Sequence, residues 1–253
     1  MSRRRDPHPY PPHKGEGAPH FREKALLALS LLALFGSGYF GIGYLTDPGR
    51  VHDLALPLDL ALPFEATWVW IYIWVIPAAV APLFLVKSQG LYRRAILAYA
   101  LTIAIACLVF LIYPVSAMGL RAQATLVIAQ FSDRMVAVLY QVDPSANAFP
   151  SLHLALVTLA ALAAWKASRL MGLILGLSVP MVAIAVLLVK QHFILDVVSG
   201  IVLALLIGAP LISGYRPERK EAVGYSWRGP AAFFAFAGFN YAVIALIGVL
   251  WPL

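Results

Sequence analysis

Long apolar stretches separated by short polar segments dominate the pattern of this chain. A helix needs about 20 mostly apolar residues to cross the hydrocarbon core of a bilayer. Seven stretches meet or approach that length, and each is bounded by charges or turn residues. They lie at residues 24–45, 66–86, 94–115, 152–167, 170–189, 194–213 and 229–251. The pattern therefore predicts an all-α, polytopic bundle of membrane-spanning helices.

The segments outside these stretches predict two further features. Residues 1–23 are rich in Pro, His and Arg and contain no apolar run, which is typical of a disordered tail. Residues 122–140 place apolar side chains at helical spacing, which favours an amphipathic helix at the membrane interface over a re-entrant piece or an eighth span. The predicted organisation is a cytoplasmic tail (1–23), a membrane core (24–213), a cytoplasmic connector (214–228) and an additional C-terminal span (229–253).

Composition and charge support a membrane protein and predict its orientation. With 61% hydrophobic and 12% charged residues, the chain is too apolar for an ordinary soluble domain. Its net charge of +7 comes from short basic clusters between the spans, which indicates topology and not nucleic-acid binding. A cytoplasmic N-terminus places all but four of the 19 Lys and Arg residues on the cytoplasmic side. The four are Arg50, Arg121, Arg134 and Lys190.

Two short polar segments lie where apolar stretches meet the outer face. The first covers residues 147–153 before the fourth span, and the second covers residues 190–196 between the fifth and sixth spans. The predicted topology places both segments, together with Arg121, on the non-cytoplasmic side. We therefore expect three segments that are distant in sequence to meet at one membrane depth.

The two histidines of these segments are candidates for acid, base or nucleophilic chemistry near neutral pH. His192 and Asp196 are four residues apart, so in a helix they share a face and the carboxylate orients the imidazole ring. His153 lies just inside the fourth span, where it is placed to donate a proton to a leaving oxygen. These residue types in this pattern favour a catalytic site.

The start of the fourth span is also a candidate anion site. Pro150 suits the first turn of a helix, and Asn147 or Ser145 is placed to cap it. Free backbone N–H groups at that helix start, together with the Ser151 hydroxyl, favour the binding of a phosphoryl group. The nearest cations on this side are Arg121 and Lys190.

Other classes of protein remain as alternatives at this point. A proton- or anion-coupled transporter would also use histidines at the ends of spans, but the spans show no polar path toward the cytoplasm. A non-catalytic scaffold is a second alternative. His153, His192 and Asp196 are also potential zinc ligands. The chain contains neither the short motif typical of a serine protease nor the one typical of a zinc protease.

Two segments of the chain resemble signature motifs of a known enzyme family. Phe149-Pro150-Ser151-Leu152-His153 and His192-x-x-x-Asp196-x-x-x-Gly200 are similar to the second and third motifs of the type 2 phosphatidic acid phosphatase superfamily. The likeness covers residues 55–213 and implies a six-span core, with the seventh span outside it. Within the superfamily, segments 59–64 and 190–192 are similar to the branch of the inositol phosphorylceramide synthases.

The resemblance implies a role for each candidate residue. His192 would attack phosphorus and form a phosphohistidine, Asp196 would orient His192, and His153 would protonate the departing alkoxide. The residues that would bind phosphoryl oxygens are Ser151, Lys190 and Arg121. No metal and no cofactor is implied. The first motif is absent in its common form, and Arg121 is its stand-in.

The resemblance also implies a substrate class and a location. The substrate would be a phospholipid or an isoprenoid phosphate of the bilayer, and the acceptor would be water or an alcohol. Hydrolysis is favoured, and transfer of a phosphoryl headgroup of the inositol phosphorylceramide synthase type is the alternative. We expect an integral protein of the cell (inner) membrane whose active site faces the non-cytoplasmic side, with no nucleic-acid partner.

Overall fold

The chain folds into a bundle of helices. The computed structural model describes residues 17–216 and 227–252, so the predicted tail up to residue 16 and most of the predicted connector lie outside the described residues. Within the described ranges the longer helices are α1 (17–45), α2 (Ala66–Leu85), α3 (Gln89–Ile112), α4 (Phe131–Val142), α5 (Leu152–Ala167), α6 (Arg169–Leu188), α7 (Ile194–Ser213) and α8 (Arg228–Leu250). No strand is present in these ranges, which confirms the predicted all-α class.

Six of these helices are long and apolar enough to cross a membrane, and α5 is a shorter apolar helix of 16 residues. All seven predicted spans are therefore helices with boundaries close to those expected. The helix α1 begins at Gly17, so residues 17–23 of the predicted tail are helical. A proline at position 19 is compatible with this start, because the first turn of a helix has no intrahelical acceptors for its N–H groups.

The predicted amphipathic helix is shorter than expected, and part of it is buried. It begins at Phe131 and not near residue 122, because the Asp133 carboxylate accepts a hydrogen bond from the Val127 N–H (3.0 Å) and holds the preceding segment in a turn. The helix packs between α2 and α8, and its Met135 and Val136 side chains are buried. This helix therefore closes one end of the bundle.

The helix α5 lies at the centre of the bundle. It contacts α2, α3, α6 and α7. Leu154, Val157 and Ala160 face one apolar cluster, whereas Ala155 and Leu159 face a second. A helix buried on every side is apolar all round, and small residues allow neighbouring helices to approach closely. The residues at the start of α5 therefore have well-defined neighbours.

The two ends of the bundle differ in charge. At the end of α5 opposite His153, the Lys166 ammonium donates to the Tyr215 carbonyl (3.2 Å). Arg93 of α3 forms an ion pair with Glu23 of α1 (2.5 Å). Lys166 and Arg93, two of the described basic residues that predict the cytoplasmic side, are thus at the opposite end from the two histidines. The assignment of these ends to the two sides of the membrane stays a prediction.

Candidate active site

Short backbone contacts hold the loops together at the end of the bundle that carries the histidines. Val115 forms isolated bridges to His52 and to Asn147. The Ser151 N–H donates to the Asp196 carbonyl (3.0 Å), which joins the start of α5 to the start of α7. The predicted convergence of three distant segments at one end of the bundle is therefore confirmed.

His192 and Asp196 form a buried pair. The Nδ1 atom of His192 lies 3.3 Å from Asp196 Oδ2, and neither residue is more than 3% exposed. His192 precedes the helix, so the contact does not arise from a shared helical face as expected. It arises because Asp196 turns back from the first turn of α7 and also accepts from the Phe193 N–H (2.9 Å). A proton on Nδ1 leaves Nε2 of His192 with a free lone pair.

His153 and Ser151 both face the free nitrogen of His192. His153 Nδ1 lies 2.8 Å from His192 Nε2, and Ser151 Oγ lies 3.2 Å from the same atom. The residue that caps α5 is Ser151, which accepts from the Leu154 N–H, and not Asn147 or Ser145 as predicted. The side chain of Asn147 instead donates to the Tyr39 carbonyl. The helix start and the two imidazoles thus share one small space.

Gly200 permits this close approach of α5 and α7. A Cβ atom at Gly200 would lie 2.3 Å from the Ser151 carbonyl oxygen, well inside ordinary contact distance. Glycine allows the two backbones to meet because it has no side chain. The position of Ser151 relative to Asp196 therefore depends on Gly200.

Arg121 is buried beside the histidine pair. Its Nη1 donates to the Asp143 carbonyl (3.0 Å), its Nη2 donates to Gln191 Oε1, and its guanidinium lies 3.7 Å from the Asp143 carboxylate. Among the described residues, Arg121 Nε and Gln191 Nε2 are buried donors without a partner. Buried donors are normally paired, so these two are candidates to donate to a bound anion. Gln191 was not among the residues predicted from the sequence.

Lys190 occupies a different place from the one predicted. Its ammonium donates to the carbonyls of Asp59 (3.1 Å) and Leu62 (2.6 Å). Burial lowers the pKa of Lys190, and the nearby Asp59 opposes that shift. Within the described chain no hydrogen bond joins Lys190 to either histidine. We therefore replace the predicted phosphate contact with a structural role, in which Lys190 holds the 59–62 segment against the site.

Three residues that sequence reasoning missed form a polar network behind His153. The Tyr72 hydroxyl lies 2.8 Å from His153 Nε2 and donates to Asp143 Oδ2 (3.2 Å). The Tyr39 hydroxyl donates to Asp143 Oδ1 (2.8 Å). Aromatic residues in apolar spans are ordinary packing residues, so no local pattern singles out these tyrosines. Asp143 follows α4 directly, where it resembles any polar residue at a helix end.

An apolar cavity of about 470 Å³, open on one side, reaches the site. It lies between α1, α2 and α3, and His153 and Asp143 line one part of it. Most of the wall is aliphatic or aromatic, as the lining residues Leu31, Phe35, Ala79 and Ile96 illustrate. The site therefore has direct access to a space suited to hydrocarbon.

The zinc alternative finds no geometric support in this arrangement. Among the described residues, no three His, Cys, Asp or Glu side chains form a group suited to a metal ion. The contacts of His192 and His153 are instead with each other and with oxygen atoms of their neighbours.

Comparison with known proteins identifies the family. A family model described as the PAP2 superfamily matches residues 55–209, which is more than half of the chain. The matched range contains both histidines, Asp196 and Gly200, and it ends before α8. Comparisons with curated proteins and with solved structures gave no match. The chain therefore belongs to the PAP2 superfamily, and it is a phosphatase-like integral membrane enzyme.

Proposed function

We propose that this protein cleaves the phosphoester of a membrane lipid through a covalent phosphohistidine at His192. The observation that carries the proposal is the contact of 2.8 Å between His192 Nε2 and His153 Nδ1, with Asp196 on the other side of His192. One imidazole then has a free lone pair for attack, and the other carries a proton for the leaving group. The family match supports phosphatase-like chemistry at this pair.

The reaction has two steps that share the same residues. His192 Nε2 forms a bond to phosphorus while the bond from phosphorus to the lipid oxygen breaks, and His153 gives its proton to that oxygen. Water or an alcohol then attacks the phosphohistidine, and His153 takes the proton of the attacking hydroxyl. Asp196 stabilises the positive charge that develops on His192 in the first step.

The phosphoryl oxygens would be bound by neutral and cationic donors around the pair. Arg121 Nε and Gln191 Nε2 are buried donors without a partner among the described residues, and the Ser151 hydroxyl lies against His192. The N-terminus of α5 adds partial positive charge. Arg121 therefore keeps its predicted role, and Gln191 replaces Lys190.

The cavity supports a lipid as the substrate. Its lining on α3 runs from Tyr92 to Ile103, a distance of roughly 16 Å at 1.5 Å per residue. That length is about half of the ~30 Å hydrocarbon core of a bilayer, and thus about one leaflet. A lipid with its phosphate at His153 would place its tail in this cavity. The substrate class is a phospholipid or an isoprenoid phosphate, met at the non-cytoplasmic face.

Hydrolysis and transfer use the same intermediate, so the acceptor separates them. We favour hydrolysis, and transfer of a headgroup as in inositol phosphorylceramide synthases is the second candidate. Purified protein in detergent would receive a lipid labelled at phosphorus, with and without inositol or diacylglycerol. Label in free phosphate identifies a hydrolase, and label in a new lipid identifies a transferase.

The experiment tests the intermediate directly. Acid-labile, base-stable label on the protein is expected in wild type and is expected to be lost in His192→Ala. His52→Ala is the matched control, because His52 lies at the same end of the bundle but stacks on Tyr113 and not on the histidine pair. Label that persists in His192→Ala, or wild type that neither releases nor transfers phosphate, would refute the proposal.

A separate experiment tests the role of the cavity. Ala79→Leu narrows the cavity, so it should raise the KM for a long-chain lipid phosphate and leave a short-chain one unchanged. Ala242→Leu on the exposed face of α8 is the control for added bulk. Equal effects on both chain lengths would place the tail elsewhere.

A further inference from the structure

His153 makes a contact at each of its two ring nitrogens. Nδ1 faces His192 Nε2 at 2.8 Å, and Nε2 faces the Tyr72 hydroxyl at 2.8 Å. Tyr72 lies 3.2 Å from Asp143, which also accepts from Tyr39. A continuous hydrogen-bonded chain thus leads from the attacking nitrogen of His192 to the Asp143 carboxylate.

Counting the hydrogens along this chain gives the hydrogen-bonding roles open to His153. A carboxylate accepts hydrogen bonds only, so the single Tyr72 hydrogen goes to Asp143 and the Tyr72 oxygen must accept from His153 Nε2–H. His192 Nε2 is an acceptor, because the other nitrogen of that ring donates to Asp196. A hydrogen on His153 Nδ1 makes the contact between the two rings a hydrogen bond, and the Ser151 hydroxyl is a second group that faces His192 Nε2. In its imidazolium form His153 donates at both nitrogens, and this is the form that can give a proton to a leaving group.

We propose that Asp143 and Tyr72 are positioning residues that favour the protonated form of His153 and aim it for release of the leaving group. The inference rests on the proposed function, and it assigns to His153 the kind of carboxylate support that Asp196 provides to His192. The Tyr72 hydroxyl transmits the effect of the carboxylate across one hydrogen-bonded oxygen.

The charges around His153 act in both directions. Asp143 favours the imidazolium, whereas Arg121 and a positively charged His192 oppose it. Tyr72 and Tyr39 are the other titratable groups of the described chain that contact the ring, and they lie on α2 and α1. Asp143 is the carboxylate in this set that reaches His153 through a hydrogen-bonded chain. Its removal should therefore favour the neutral ring.

The proton balance of the reaction fits this arrangement. As the bond between His192 and phosphorus forms, the departing oxygen takes the proton from His153 Nδ1 and the ring becomes neutral. The remaining hydrogen stays on Nε2, where it is held by the Tyr72 oxygen. In the second step the proton of water or alcohol returns to Nδ1. Tyr72 and Asp143 thus keep one ring orientation through both steps.

The support for His153 extends beyond the part of the chain that matches the family. Tyr39, which donates to Asp143, lies on α1 and outside residues 55–209. The N-terminal helix thereby contributes to the setting of the acid.

The test compares leaving groups across pH. In Tyr72→Phe and Asp143→Asn we expect single-turnover formation of the phosphoenzyme from a long-chain alkyl phosphate to slow by about 10- to 100-fold, the rate equivalent of one hydrogen bond to a charged group. An aryl phosphate has a good leaving group, so its reaction should change by less than about threefold. The alkaline limb of the alkyl rate should move to lower pH, and Asp143→Glu should restore part of the rate.

Matched controls separate this role from packing. Tyr241→Phe removes a tyrosine hydroxyl that donates to a backbone carbonyl, and Asp133→Asn removes a buried carboxylate on α4. Equal losses on both substrates at every pH would overturn the inference, and so would rates in Tyr72→Phe and Asp143→Asn equal to those of the controls. In either case, formation of the phosphoenzyme by wild type would still uphold the proposed function. If wild type forms no phosphoenzyme, the proposed function itself fails. If Asp143→Asn does not fold, Tyr72→Phe decides, since it removes a single oxygen atom.

Discussion

Gly200→Ala is the substitution that best tests how the two motifs are held together. The added Cβ would lie 2.3 Å from the Ser151 carbonyl oxygen, 3.1 Å from its carbonyl carbon and 3.3 Å from its Cα. Ordinary contact begins near 3.4 Å, so the backbones of α5 and α7 must separate by about 1.1 Å. The nearest atoms belong to the backbone, which has no alternative rotamer to adopt.

The expected loss follows from that displacement. The Ser151 hydroxyl faces His192, and His153 lies two residues further along the chain. Ser151 and His153 would therefore both move away from Asp196 and His192. A misplacement of about 1 Å in a catalytic group lowers the rate by roughly 100-fold. Overpacking of a buried contact also lowers the free energy of unfolding by about 1–3 kcal/mol. We therefore expect a folded, less stable protein with about 1% of wild-type turnover.

The assay measures phosphate release from a long-chain lipid phosphate together with thermal unfolding in the same detergent. Gly176→Ala on α6 is the control, because a Cβ there meets no atom within 4 Å. That change should leave turnover intact and raise the free energy of unfolding by about 0.5–1 kcal/mol. Wild-type turnover in Gly200→Ala would refute the reasoning that this contact sets the geometry of the site.

Three further predictions address single residues. His153→Ala should slow release of an alkyl leaving group by about 10²–10⁴-fold and an aryl one far less, and equal losses would assign it another role. Arg121→Lys should weaken inhibition by vanadate at least about tenfold, since lysine lacks the planar fork; an unchanged inhibition constant would argue against phosphoryl binding by Arg121. Burial lowers the pKa of Lys190 in the folded chain below its ordinary value of 10.5. Between the lowered pKa and pH 10.5, the unfolded chain therefore binds more protons than the folded chain. In this window the free energy of unfolding of wild type should rise with pH relative to that of Lys190→Met. A constant difference in unfolding temperature across that window would contradict the proposed burial of the charge.

Much of the fold follows from local pattern. Six spans are apolar runs long enough to cross the bilayer and α5 is a shorter apolar run, so the seven helices were predictable without knowledge of their contacts. The same holds for the position of His153 and His192 at helix ends, and for their convergence at one end, which the order of the spans dictates. The start of α4 was wrong because the turn before it depends on the side chain of Asp133.

Tertiary structure decided which polar groups face the histidines. Lys190 is next to Gln191 in sequence, yet a positive φ of 56° at Lys190 and two carbonyl acceptors direct its ammonium to the 59–62 segment. Tyr72 and Asp143 are 71 residues apart and meet only because α2 and the end of α4 pack at the same depth. No local pattern encodes such a meeting, because a hydroxyl in an apolar span has the same neighbours in sequence whether or not a carboxylate lies across from it.

The sequence by itself thus determined the membrane class, the helices and the two histidines with Asp196. These depend on hydrophobic length and on short spacings, which are properties of neighbouring residues. The folded bundle decided the cap at Ser151, the pairing of Arg121 with Gln191, the place of Lys190 and the support of His153 by Tyr72 and Asp143. Those features depend on hydrogen bonds between distant segments, whose directions are set only when the helices pack around α5.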